Sequence, residues 1–318
     1  MKNILNVTSS PHIKHTDTTN GIMLDVIIAL LPACVFGCIL FGFKALAILV
    51  TCVATAVLCE FLWNLILKKP NTIGDLSAVV TGLLLGMNLS SELPVWMAAI
   101  GSAVAIIVVK QMFGGIGCNF ANPAIAARIV LLVSFPGAMT RFAEPVSDTV
   151  TSATPLANLG ETVAESLTPL TLKNLFFGMH SGCIGETSAF LLIVGGLYLV
   201  MRRIISVEIP LSFIGTVALF SLISGGSLSI AVFGGGLMLG AIFMATDYTT
   251  TPVTRLGKLI FGIGCGVITF VIRKFAASPE GVSYAILLMN ILTPHINRFT
   301  LKKPFGLVKP QKEVKADE

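Results

Sequence analysis

The sequence predicts an all-α polytopic membrane protein, with about ten transmembrane helices arranged as two inverted five-helix repeats. Three observations carry that prediction. First, the 318-residue chain is 54% hydrophobic and only 12% charged, with mean hydropathy +0.89, whereas soluble domains average about 25% charged residues. Second, apolar runs near bilayer length recur along the chain. Third, the two halves carry matching marks. Pro94 and Pro252 keep the same separation as Pro136 and Pro294, and GLLLG at 82–86 resembles GLMLG at 236–240. Five spans per half is an odd number, so the second half enters the membrane inverted.

Residues 1–21 are polar over too long a stretch for a secretory signal, so the first apolar span is a retained helix. Spans are predicted at 22–42, 44–66, 75–89, 93–112 and 121–137 in the first repeat (22–137). The second repeat (187–295) supplies 187–201, 207–224, 228–246, 257–275 and 281–295. Several are short or broken by glycine. Gly82 and Gly86, and Gly236 and Gly240, stand at the four-residue spacing that lets helix backbones approach closely. Short, interrupted spans in matching positions of two halves point to a site near the membrane midplane. Residues 138–186 form the long polar connection, and 296–318 a charged tail suited to anionic headgroups or a partner subunit.

Orientation follows from lysine and arginine. With the N-terminus in the cytoplasm, Lys2, Lys14, Lys68, Lys69, Lys110, Arg202, Arg203, Arg255, Lys258, Arg298 and the tail lysines fall inside. Lys44, Arg141, Lys173, Arg273 and Lys274 fall outside. Both termini are then cytoplasmic, and the 138–186 connection, with Glu144, Asp148, Glu161, Glu165 and Glu186, is extracytoplasmic. The cysteines are scattered with no CxxC pair. Cys34 and Cys38, one helical turn apart, either pack in the bundle or place two thiolates on a metal. No nucleic-acid motif, Walker loop or metal-ligand cluster occurs.

The polar connection contains D-T-V-T-S-A-T, residues 148–154. Its hydroxyls have no neighbouring base to activate them, and with Pro155 they make an ordinary turn or cap. The stretch resembles the flavinylation motif D-x-x-[ST]-[GS]-A-T, with Asp148, Thr151, Ser152, Ala153 and, as acceptor, Thr154. Three further stretches, GGIGCNFANPAIAARIVLLVSFP (114–136), GCIGETSAFLLIVGGLYL (182–199) and MATDYTTTPVT (244–254), make the chain similar over nearly its whole length to the RnfD component of the Rnf complex. That family is homologous to the NqrB component of the sodium-pumping NADH:quinone oxidoreductase.

The resemblance implies a covalent FMN ester at Thr154, attached by an extracytoplasmic flavin transferase. It also implies a second, non-covalent flavin such as riboflavin near the cytoplasmic face, and a fold like that of urea channels. The chain would be a subunit of an ion-translocating ferredoxin:NAD oxidoreductase in a bacterial cell membrane, relaying electrons. Its partners would be the other membrane subunits, the FMN-carrying extracytoplasmic subunit, and the iron–sulfur and NAD-binding subunits. Two alternatives stand beside this. One is a quinone-reductase subunit of the same family. The other is a channel or secondary transporter without a redox role, which inverted repeats alone would favour.

The remaining candidates are polar groups in apolar surroundings. Arg128, inside the fifth span, serves a flavin phosphate or carbonyl, or pairs with a buried acid. Asn119 and Asn122 cap the helix opened by Pro123, or bind a flavin edge. Glu186, in G-E-T-S, caps the sixth span first and contacts flavin second. Asp25, Glu60 and Asp247 are candidate ion-binding carboxylates. Their plainer readings are a helix-dipole contact for Asp25, snorkelling or an ion pair for Glu60, and an Asx turn for Asp247. No residue is assigned acid–base catalysis, since a flavin would carry the chemistry.

Overall fold

A computed structural model describes residues 18–143, 151–152, 169–276 and 280–301. The first element, α1 (Thr19–Ile66), runs 48 residues. It is two helices joined at a kink. Gly42 interrupts it with φ 69° and ψ −154°, a conformation open to glycine and strained for other residues. The predicted boundary between the first two spans is therefore a single residue. Thr18 starts the helix by accepting from Gly21 N at 3.2 Å.

The chain continues through α2 (Ser77–Met87), α3 (Val95–Ala103) and α4 (Pro123–Ser134) to a short α5 (Pro136–Met139). After the polar connection come α6 (Pro169–Phe177), α7 (Ala189–Met201), α8 (Glu208–Ile223), α9 (Leu228–Phe233) and α10 (Leu237–Leu239). The last two are α11 (Arg255–Phe275) and α12 (Gly281–Thr300). Each predicted span coincides with helix. Two of them end in π-helix: α3 runs on as Val104–Gln111, and α10 as Gly240–Met244. Such wide turns re-aim side chains and are frequent at functional sites.

Packing shows why these sequences fold this way. On α1, large apolar residues face outward (Leu24, Ile28, Leu31, Val35, Ile39), while the small Ala29, Ala33, Cys34 and Gly37 face inward. This is the pattern of a helix solvated by hydrocarbon and packed through small residues. α1 and α11 are long and apolar enough to cross a bilayer. Gly82 gives α2 its close seat on α1, because a Cβ there would lie 2.8 Å from both Cys52 O and Val53 Cα.

Three expectations are corrected. The 138–186 connection is not all loop: α6 forms there, and β1 (Phe142–Ala143) pairs antiparallel with β2 (Thr151–Ser152). Pro169 sets φ for the first turn of α6. Phe176 then anchors α6 by edge contact with Phe233, 5.6 Å between ring centroids. The fifth predicted span divides at Phe135, before Pro136, because the residue preceding proline disfavours the α region. The final helix passes 295 to reach Thr300, since Pro294 removes one backbone donor without stopping it.

Candidate functional site

Two buried polar centres organise the described residues. The first is a cleft of about 790 Å³, its open mouth included, between α1, α2, the π turn after α3, the approach to α4, and the loop following Met244. Its polar lining comes from Ser77, Thr81, Lys110, Asn119, Asn122 and Asp247. Asn119, Asn122 and Asp247, which stand apart in the sequence, thus meet at one place. The composition, apolar walls with a few convergent polar groups, is that of a small-molecule site.

The three do different work. Asn122 is fully used: its Oδ1 accepts from Ala124 N at 3.0 Å and Ile125 N at 3.4 Å, and its Nδ2 donates to Met244 O at 3.2 Å. It caps α4 and ties that cap to the second half. Asp247 accepts from Thr249 N at 3.3 Å, Thr249 Oγ1 at 3.0 Å and Thr250 Oγ1 at 3.4 Å, so it closes an Asx turn on the cleft rim. Burial pushes its carboxyl up, and the hydrogen bonds from Thr249 and Thr250 oppose that shift. Asn119 differs. Its Oδ1 is buried without a hydrogen-bond partner among the described residues, and an acceptor in that state costs about 1–3 kcal/mol unless a ligand or water donates to it.

Lys110 reads in the sequence as a cytoplasmic-side charge at the end of the predicted span 93–112. The structure buries it, 2% exposed, on the π turn, where Nζ donates to Glu60 Oε2 at 2.7 Å and to Ser77 Oγ at 2.5 Å. Glu60 is therefore an ion-paired carboxylate, and its other oxygen accepts from Thr72 at 2.7 Å. Asp25 is likewise paired. It accepts from Tyr198 Oη at 2.7 Å and Arg202 Nη2 at 2.9 Å, joining α1 to α7.

The second centre surrounds Arg128. Its Nη2 lies 2.7 Å from Glu280 Oε2 and 3.6 Å from Glu186 Oε1. Nη1 donates to Asn88 Oδ1 at 2.8 Å and Ser283 Oγ at 3.2 Å. Of the two readings of Arg128, the buried acid pair is what the structure contains. Arg273 lines the same small gap while donating to Ala231 O at 2.7 Å and Gly234 O at 3.2 Å, carbonyls freed by the break after α9. Gly236 keeps the gap open, because a Cβ there would lie 2.8 Å from Glu186 Oε1.

The capping role expected first of Glu186 is corrected: Ser188 caps α7, accepting from Leu191 N at 3.4 Å. Glu186 turns inward, because the buried guanidinium of Arg128 needs carboxylates beside it, while Ser188 already serves the buried start of α7. Glu280 and Arg273 do not stand out in the sequence. The available signal is Arg128 itself, which demands an acid partner.

Of the attachment stretch, Asp148, Ala153 and Thr154 lie outside the described residues. Thr151 and Ser152 form β2, opposite Ala143 and Phe142. Among the described residues no group of three His, Cys, Asp or Glu side chains is placed to hold a metal.

Apolar exterior, kinked helices, a polar cleft and an interior charge cluster define a helical integral membrane protein. The chain belongs to the NQR2, RnfD, RnfE family, which it matches over residues 6–306. Its relatives are components of ion-translocating complexes. It is 51% identical over 315 residues to a subunit of the Na(+)-translocating ferredoxin:NAD(+) oxidoreductase complex of Acetobacterium woodii, covering 98% of each chain. It is 42% identical over 321 residues to a subunit of the proton-translocating ferredoxin:NAD(+) oxidoreductase complex of Clostridium ljungdahlii, covering 96% of this chain and 97% of the relative. It is 39% identical over 329 residues to a subunit of the ion-translocating oxidoreductase complex of Stutzerimonas stutzeri, covering 91% and 92%.

Proposed function

We propose that this chain is the flavin-carrying membrane subunit of an ion-translocating ferredoxin:NAD oxidoreductase, with FMN esterified to Thr154. The observation that carries the reading is the intact D-T-V-T-S-A-T stretch in a chain 51% identical, end to end, to a component of such a complex. The ten-span, two-repeat topology, with cytoplasmic termini and an extracytoplasmic attachment loop, belongs to this proposal. So do the flavin transferase and the other subunits as partners.

The cleft is proposed to hold a second, non-covalent flavin. Asn119 Oδ1, buried and unpartnered among the described residues, suits the ring N–H of an isoalloxazine edge. Lys110 offers a donor for a ring carbonyl, and the apolar wall from Met23, Leu84, Leu199 and Phe243 suits the ring faces. The flavins supply one- and two-electron exchange when bound. The chain's part is to fix their separation, exclude water and hold nearby charge. Arg128, paired with Glu280 and facing Glu186, is assigned here to holding the halves together.

The reading is tested by expressing the full chain with the transferase and viewing a denaturing gel under ultraviolet light. Wild type should fluoresce and Thr154→Ala should be dark. A dark wild-type band, or a fluorescent Thr154→Ala band, rejects the covalent assignment.

A further inference from the structure

The oxygens around Lys110 are arranged as acceptors. Ser77 gives its only hydroxyl proton to Asp75 Oδ1 at 2.5 Å, so it can offer Lys110 only a lone pair. Thr72 gives its proton to Glu60 Oε1 and accepts from Asn64 Nδ2 at 3.0 Å, which fixes the carboxylate plane. The result is a preset pair of buried oxygens facing the ammonium, the Glu60 carboxylate and the Ser77 hydroxyl. Hard cations take oxygen ligands, and water from the cleft can complete the shell that two protein oxygens begin.

The ammonium filling that shell is not locked there. Lysine ends in a compact point charge with three donors on a flexible four-carbon stem. Two of those donors are engaged, by Glu60 and Ser77, and the third has no partner among the described residues. The same side chain lines the cleft. An acceptor in the cleft can therefore compete for it.

We propose that Glu60 and Ser77 form a monovalent-cation site whose resident cation is the Lys110 ammonium. When Lys110 turns toward an acceptor in the cleft, a free Na⁺ or K⁺ takes its place. Glu60 never stands uncompensated, which is what a carboxylate this deeply buried requires. The ion-ligand role expected of Glu60 then depends on Lys110 leaving. The inference holds whichever molecule the cleft binds.

The test uses the full chain in detergent micelles, with thermal unfolding followed in NaCl, KCl or choline chloride at equal ionic strength. Lys110→Met empties the shell, and choline is too large to enter. The expected result is a rise of the Lys110→Met midpoint in NaCl or KCl over choline that grows with the logarithm of salt concentration, reaching about 5 °C well above the dissociation constant. The rise should be absent in the Lys110→Met/Glu60→Gln double variant. Equal midpoints in all three salts overturn the proposal, as does a rise that survives Glu60→Gln. Should Lys110→Met fail to fold in choline, recovery of folded protein in NaCl or KCl supports the proposal, and failure in every salt overturns it.

Discussion

Replacing Arg128 with methionine should be among the most destabilising single changes in the molecule. The side chain is 3% exposed and faces two carboxylates, Glu280 at 2.7 Å and Glu186 at 3.6 Å. Methionine fills most of the volume but leaves both acids without their guanidinium. Breaking a buried pair from one side costs about 3–5 kcal/mol. Asn88 Oδ1 and Ser283 Oγ also lose a donor, which costs about 1–3 kcal/mol for an acceptor left buried and unsatisfied. Arg273, lining the same gap, offsets part of the charge, so a loss of at least about 3 kcal/mol is expected. At about 2–4 °C per kcal/mol, the midpoint should fall by at least about 6–12 °C. Thermal unfolding of the micelle-solubilised chain measures it, within a double-mutant cycle. Glu280→Gln should be less damaging beside Arg128→Met than alone, with about 1–3 kcal/mol of coupling. A midpoint within about 1 °C of wild type, or strict additivity, would refute the view that Arg128 is held by these acids.

Two further outcomes are expected. Asn119→Leu removes the unpartnered acceptor on the cleft wall, so affinity for added riboflavin should fall about tenfold, the equivalent of one hydrogen bond; fluorescence quenching reads it, and unchanged affinity removes Asn119 from the site. Gly82→Val drives side-chain atoms into the α1 backbone at Cys52 and Val53 and should cost about 1–3 kcal/mol; a midpoint equal to wild type would show that α2 does not seat there.

Much of the helical order is legible in the sequence because lipid-facing helices need long apolar runs and because Gly and Pro mark their ends. The span boundary near residue 43 is an example: spans 22–42 and 44–66 are set apart in the sequence, and Gly42 takes the positive φ that makes the break. The cleft is half legible. Asn119, Asn122 and Asp247 stand out as polar residues beside apolar spans, but nothing in the linear chain says that they converge. Lys110 is misread in the sequence for a physical reason. Hydropathy scanning treats a lysine at a span end as a cytoplasmic-side charge, and only a partner 50 residues away, Glu60, turns it into a buried ion pair. Glu280 escapes notice for the same reason, since it meets Arg128 across 152 residues. α6 is hidden because a nine-residue helix set in a polar connection leaves little periodic signal.

The central claim, a flavin ester at Thr154, is tested most directly by the intact mass of the denatured chain after co-expression with the transferase. The account predicts an increment of one FMN less one water on wild type, borne by the peptide containing Thr154 and absent from Thr154→Ala. An unmodified wild-type mass, or the increment on a different residue, would contradict it.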